Sequence, residues 1–347
     1  MKKNPVSIKS IADALKISVT TVSFVLNGKA EEKHISKAMT KKVQDYAAKI
    51  NYQPNQIAQS LRTGKSKILV FMVEDISNNF FAKLARIIED IAYDKGYKVI
   101  FCSNENNDER SVDLISLFKF RQVDGFIIVP SPGIKSTIEK LLEENIPVVL
   151  LDRYFSGLNC NSVIINNEEA SFDATVHLIE NNYKNIGFVT TDTNQTQMRD
   201  RLEGYKKAIK KYKYSPNILS IPYNQTATQE GIRLIQDFVK NSNTLDAIFF
   251  ATNYLALNGL EILKQDADND RELGIVAFDD SDFFKICTPT VTAVAQPLYK
   301  LGEELMNIML SLLKNKDVND SPKKIILKAE LQIRESSRSR LLNQLSN

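Results

Sequence analysis

Over the first fifty positions, apolar residues recur with the spacing of short amphipathic helices. Ile8, Ile11, Ala12 and Leu15 fall at i, i+3, i+4 and i+7, one face of a helix for which Ser7 is the N-cap. Lys16 and Ile17 mark a tight break. Ser18 can cap a second helix in which Val22, Val25 and Leu26 form the buried stripe, and Gly28 is its stop signal. Met39, Val43, Tyr46, Ala47 and Ile50 outline a third. Two short helices joined by a few residues over a third make a helix-turn-helix unit. The second helix then turns outward Val19, Thr20, Thr21, Ser23, Phe24 and Asn27, hydroxyls and apolar groups suited to phosphates, base edges and thymine methyls in a major groove.

The pattern then changes. Pro54 pushes Gln53 away from helical angles, and Gln56 to Arg62 is a helix-capable stretch with little apolar surface of its own. So short a helix is marginal in water and forms only when something supports it. From Lys67 onward, apolar runs rich in β-branched residues alternate with helical segments. Ten strands are predicted, at 68–73, 98–102, 125–129, 148–151, 163–165, 186–189, 218–221, 247–251, 274–277 and 291–295. Between them lie helical stretches such as 82–93, 112–119, 136–144, 168–181 and 228–240. Strand–helix alternation with near-continuous apolar strands predicts parallel sheets covered on both faces. Ten strands exceed one comfortable sheet, so the expected fold class is an α/β sensor of two doubly wound parallel-sheet lobes behind an all-α headpiece.

Charge separates the two parts. Residues 1–65 hold twelve Lys and Arg against four acids, a net +8, so the rest of the chain is −5 within an overall +3. A basic head on a mildly acidic body is the split expected when one end neutralises phosphates. The three cysteines, Cys102, Cys160 and Cys287, are widely spaced and odd in number, the usage of a reducing compartment. No apolar run approaches the roughly 18 residues of a membrane span, and no apolar stretch follows the lysines of MKKNPVSIKS, so neither membrane insertion nor secretion is expected. No nucleophile elbow, phosphate loop or dinucleotide fingerprint occurs. His34 and His177 are far apart, without metal-ligand spacing, so catalysis, a metal and a cofactor are not expected.

The run SIADALKISVTTVSFVLNG together with NYQPNQIAQSLRTGKS resembles the headpiece and hinge of the lactose-repressor/galactose-repressor (LacI/GalR) family. The likeness extends to about residue 337, the later part resembling a periplasmic sugar-binding protein. It implies a headpiece at 1–54, a hinge helix and linker at 55–66, a periplasmic-binding-protein-like sensor at 67–335 and a tail at 336–347. The first lobe would span about 67–165 plus 297–325, the second about 166–296 plus 326–335. Beside the second helix, Ser7, Ser18, Asn55, Ala58, Gln59 and Leu61 would contact DNA, with Leu61 wedging the minor groove from paired hinge helices. Phe24 stands where members of the family often carry Arg or His, so guanine reading from that position is not expected.

The resemblance also implies an effector cleft at the carboxyl ends of the strands. VEDISNNFF is similar to a family element that places Phe80 and Phe81 for stacking, although Phe81 fits a core equally. Asp152, just ahead of Arg153, closes a strand toward the cleft or caps a helix. RLEGY is similar to the family's R-x-x-G-aromatic signature, which implies that Arg201, at a helix start, grips the effector. Thr252, Asn253 and Asp279 match ligand-touching positions, and Gln195 and Gln197 are further candidates. Such a set suits a carbohydrate, although purines can use it too. The expected protein is a cytoplasmic homodimeric repressor of pseudo-palindromic double-stranded operator DNA, controlled by a sugar or sugar derivative. A purine corepressor and a transport-type binding protein are the alternatives. Leu341, Leu342 and Leu345 are too few for a zipper that would form tetramers.

Overall fold

The computed structural model describes residues 7–52, 64–242, 244–265, 273–314 and 321–338. The hinge positions Asn55, Ala58, Gln59 and Leu61 and the leucines of the tail lie outside these residues. The chain divides into two compact units, Met1–Lys67 and Ile68–Asn347.

Among its described residues the first unit has three helices, α1 (Ile8–Leu15), α2 (Val19–Leu26) and α3 (Lys37–Lys49). Serines start all three. Ser7 and Ser10 cap each other reciprocally, Ser18 Oγ accepts from the Thr21 amide at 3.0 Å, and Ser36 Oγ accepts from Met39 at 3.2 Å. Each bond satisfies an amide that the first helical turn leaves open. Lys16, left-handed at φ 52°, ends α1 and turns the chain into α2. Ile11, Val22, Val25 and Val43 make the small core with Ala12 and Ala47, while Leu26 is only half-buried at its edge.

Among its described residues the second unit contains twelve strands in two six-stranded sheets. In the first sheet are β1 (Ile68–Val73), β2 (Lys98–Ser103), β3 (Gly125–Ile128), β4 (Val148–Leu151), β5 (Asn161–Ile165) and β11 (Lys324–Leu327). The second holds β6 (Ile186–Asp192), β7 (Asn217–Pro222), β8 (Ala247–Phe250), β9 (Gly274–Phe278), β10 (Thr292–Ala295) and β12 (Glu330–Gln332). Their orders are β11-β5-β4-β3-β1-β2 and β12-β10-β9-β8-β6-β7, the same arrangement twice. All pairings are parallel except that of β12 with β10. The central strands β1, β3, β4, β8 and β9 are buried almost throughout, as a sheet covered on both faces requires.

The two strands beyond the ten predicted are β11 and β12. Both are short sheet edges with alternating exposure: β11 has only Ile325, Ile326 and Leu327 between lysines, and β12 has Leu331 alone between polar residues. The first sheet takes β11 whole, so the expected crossing after residue 325 falls inside a strand that runs to Leu327.

Nine helices among the described residues of this unit cover the sheets: α4 (Asn79–Asp94), α5 (Asp108–Phe120), α6 (Lys135–Glu143), α7 (Asn167–Glu180), α8 (Thr196–Lys211), α9 (Gln229–Asn241), α10 (Asn253–Gln265), α11 (Asp282–Ile286) and α12 (Leu298–Lys314). None described is long and apolar enough to cross a membrane. The last described segment is pinned to the second lobe. Arg334 makes two 2.8 Å bonds to Asp280, and Ser337 Oγ lies 2.8 Å from His177 Nε2.

Candidate functional site

On α2 the expected DNA-facing side chains differ in how free they are. Val19 is 47% exposed, and Thr20 and Asn27 are also exposed, while Thr21, Ser23 and Phe24 are half-buried. Several polar groups already have partners within the headpiece. Ser18 and Thr21 hydroxyls lie 2.8 Å apart, and Asn27 Nδ2 donates to the Ser23 carbonyl at 2.7 Å. The Lys33 ammonium lies 5.6 Å from the Phe24 ring centre, which places a cation beside the position that lacks a hydrogen-bonding side chain.

The sensor's cleft is built at the carboxyl ends of equivalent strands in the two lobes. Asp152 follows β4 and Asp279 follows β9, matching places in the repeated sheet order. Both are left-handed, at φ 67° and 69°, a conformation that aspartate tolerates. Their amides bond the neighbouring strand, Asp152 to Val163 at 3.1 Å and Asp279 to Val294 at 3.0 Å. The sharp turn at each strand end therefore aims a carboxylate into the gap.

Phe80, Phe81, Asp152, Gln195, Gln197, Arg201, Thr252 and Asp279 all line one cleft. Asn253 does not: its amide crosses to the other lobe and donates to Asn78 at 3.1 Å. Glu74, Asn78, Arg153, Thr191, Met198, Tyr223, Tyr254 and Gln296 complete the lining. Of these, Glu74 sits in the same VEDISNNFF stretch and Arg153 directly follows Asp152, so both were near a readable signal. Tyr223 and Gln296 had none. Phe80 and Phe81 meet edge to face at 5.0 Å, packed into the core as well as the cleft.

Arg201 lies in the second turn of α8 rather than at its start. Nε donates to Asn167 Oδ1 at 2.8 Å and Nη1 to the Ala251 carbonyl at 2.8 Å, with Asp279 Oδ2 at 3.5 Å. Its guanidinium stacks 3.7 Å over Phe278. Among the described residues no protein acceptor bonds Nη2, so the guanidinium is locked with one edge unpaired. The rest of the motif supports it. Tyr205 is buried, donates to the Ile186 carbonyl at 2.8 Å and stacks on Phe188, while Gly204 lets α7 approach. Asn167, on α7, is thereby brought to Arg201.

Asp152 is pushed up to about 7 by burial, which Asp279 adds to and Arg201 opposes. Arg153 is lowered to about 10, again mainly by burial. Gln197 Oε1, in the cleft lining, is buried without a partner among the described residues, as is Asn253 Oδ1 outside the lining. The lobes meet across the gap through Gln195 to Asn106 at 2.7 Å, Tyr223 to Glu74 at 2.9 Å and the Tyr154 amide to Thr196 at 3.3 Å. The cavity between them is about 40 Å³, on the scale of a few waters, so a sugar-sized ligand requires the lobes to part.

A helix-turn-helix unit on the same chain as a two-lobed sensor with a polar cleft defines a ligand-responsive DNA-binding regulator. Residues 7–55 match the model described as "Bacterial regulatory proteins, lacI family", and 175–337 match that of a periplasmic binding protein-like domain. Catabolite control protein A of Priestia megaterium is 30% identical over 320 residues, 91% of this chain and 95% of the relative. The ribose operon repressor of Halalkalibacterium halodurans is 29% identical over 330 residues, 93% of this chain and 96% of the relative. The crystal structure of the lac repressor dimer bound to operator and the anti-inducer ONPF has the same fold, with TM-score 0.83 at 20% identity, covering 96% of this chain and 100% of that one. The chain belongs to the lacI family of bacterial regulatory proteins, transcriptional regulators and not enzymes.

Proposed function

We propose that this regulator is a cytoplasmic homodimeric repressor whose effector is a small uncharged sugar. The observation that carries the reading is the polar balance of the cleft. Glu74, Asp152 and Asp279 face Arg153 and Arg201, and both guanidiniums already contact carboxylates. With the partnerless amide oxygen of Gln197, the cleft offers many acceptors and few free donors. Sugar hydroxyls supply donors and also accept from the one open edge of Arg201. A phosphate supplies only acceptors and adds negative charge. The ribose operon repressor is among the similar proteins, which agrees with a sugar effector.

In the proposed mechanism, effector binding changes the angle between the lobes, and in a dimer this alters the separation of the two hinge segments that reach the operator. Coupling of this kind is reciprocal and typically about 1–3 kcal/mol. A two-fold protein suits a pseudo-palindromic operator. The test is thermal unfolding of the full chain against neutral pentoses and hexoses, sugar phosphates and purines. One neutral sugar is expected to stabilise it by about 2.7 kcal/mol at a hundred times its Kd, and to change operator affinity when added to a DNA-binding assay. Stabilisation only by a purine or a phosphate overturns the reading.

Asp152 gives the same site a pH signature. A hydroxyl donates to its carboxylate form, so effector affinity is expected to rise with pH up to about 7 and then level off. At pH 6 it should be about tenfold weaker than on the plateau. Ligand-free stability runs the other way. Between pH ~4 and ~7 the folded protein holds a proton that the unfolded chain releases, so stability falls as pH rises. Calorimetric titration across this range checks both trends, and Asp152→Asn should flatten the affinity profile.

A further inference from the structure

Arg153 is the cation that would otherwise receive an anionic ligand. It follows β4 beside Asp152 and lies 5% exposed. Each nitrogen of its guanidinium faces an acceptor. Nε donates to Asp152 Oδ2 at 3.3 Å, Nη1 to Asn106 Oδ1 at 2.5 Å and the Pro130 carbonyl at 3.4 Å, and Nη2 forms a close ion pair with Glu74 Oε2. Glu74 enters from a different strand end, β1, and is itself 8% exposed. Its other oxygen, Oε1, accepts from Tyr223 of the opposite lobe at 2.9 Å.

These contacts give Glu74 two separable roles. One oxygen neutralises Arg153 within its own lobe, and the other meets the second lobe. A buried carboxylate and the guanidinium that holds it compensate one another, since leaving either group alone in the interior is strongly unfavourable. With Glu74 present and Asp152 ionised, the five charged side chains of the cleft sum to −1, and Arg153 has no nitrogen without an acceptor. Without that carboxylate the sum is zero, and Nη2 is released toward the cleft.

We propose that Glu74 is a specificity-determining residue that makes the cleft refuse anionic effectors by occupying the Arg153 guanidinium. Sugars are admitted as neutral molecules, while their phosphate esters meet an excess of carboxylate and no open cation other than the edge of Arg201. The proposal rests on the uncharged-sugar reading above, and its test is arranged so that the two can fail separately.

The probes are two matched pairs, ribose with ribose 5-phosphate and glucose with glucose 6-phosphate, titrated into the full chain by calorimetry. Wild type is expected to bind neither phosphate measurably. Glu74→Gln keeps the length of the side chain and its bond from Tyr223 but removes the charge. Affinity for the phosphates should then rise about tenfold or more, the value of roughly one charge-assisted contact. Adding Arg153→Gln to that variant should abolish the gain. Tyr223→Phe loses the contact across the cleft but leaves the ion pair, so phosphate should still be excluded. Should Glu74→Gln fail to fold, Glu74→Asp draws the carboxylate back by one methylene and should raise phosphate affinity by a smaller factor, about threefold.

The proposal is overturned if wild type binds the phosphates, or if the folded Glu74 variant shows no gain. It is equally overturned if the gain survives Arg153→Gln, or if Tyr223→Phe admits phosphate as readily, since closure rather than charge would then be the filter. A gain in the Glu74 variant with no neutral sugar bound by wild type upholds the proposal and overturns the sugar reading alone.

Discussion

Arg201→Met should abolish the effector response and lower the melting temperature of the sensor by about 10 °C. The side chain is 2% exposed and joins Asn167 on α7, the Ala251 carbonyl after β8 and Asp279 after β9. Methionine fills much of the volume but strands Asp279 in the interior without its cation. Removing one member of a buried pair costs about 3–5 kcal/mol, and a domain of this size loses roughly 2–4 °C per kcal/mol. Effector affinity should fall at least about a hundredfold, as the remaining guanidinium edge and the alignment of Asp279 go together. Arg201→Lys separates the two effects. It keeps a charge near Asp279 but loses the planar fork and the stack on Phe278. Stability should largely return while effector binding stays weak. A lysine variant with full effector affinity would reduce Arg201 to a structural residue.

Gly204→Ala should destabilise the sensor by about 3 kcal/mol, although the same change in an open helix would stabilise it by nearly 1 kcal/mol. The sign is reversed by close packing of α7 against α8. A Cβ at residue 204 would lie 2.2 Å from the Glu168 carbonyl oxygen and 2.9 Å from the Phe172 amide nitrogen. Both are backbone atoms, so no rotamer change relieves the contact and the helices must separate. That movement also reaches the cleft. The Ser171 hydroxyl donates to the Arg201 carbonyl at 2.6 Å, and Asn167 begins the same helix α7. Effector affinity should therefore drop along with melting temperature. A variant with unchanged melting temperature would mean that the helices part more cheaply than this geometry implies.

These two residues also mark how far the sequence could be read. Arg201, Gly204 and Tyr205 stand out as a motif, but the motif does not say that the glycine is where a second helix presses in. It also does not say that the tyrosine bonds the Ile186 carbonyl. The inner strands were legible because each is an apolar run buried on both faces. β11 and β12 were not, since an edge strand half-exposed among polar residues has the composition of a loop. In the headpiece the serine caps were legible because a cap bonds an amide only a few residues away. The bond from Asn27 back to Ser23 is just as local, yet it restricts a side chain that spacing alone would assign to DNA.

The cleft divides along the same line. Asp152 could be picked out because it ends a strand, and Arg201 and Asp279 because the motifs that hold them resemble those of the family. Glu74 with Arg153, Gln195 with Asn106 and Tyr223 with Glu74 join residues 79, 89 and 149 positions apart. The sequence by itself determined a three-helix DNA-reading unit and two repeated α/β lobes, because periodicity, capping and turn preferences act over a few residues. Only the tertiary structure decided which charges neutralise one another across the cleft. That balance depends on distances of a few ångströms between strand ends on different parts of the chain, and no local pattern encodes them.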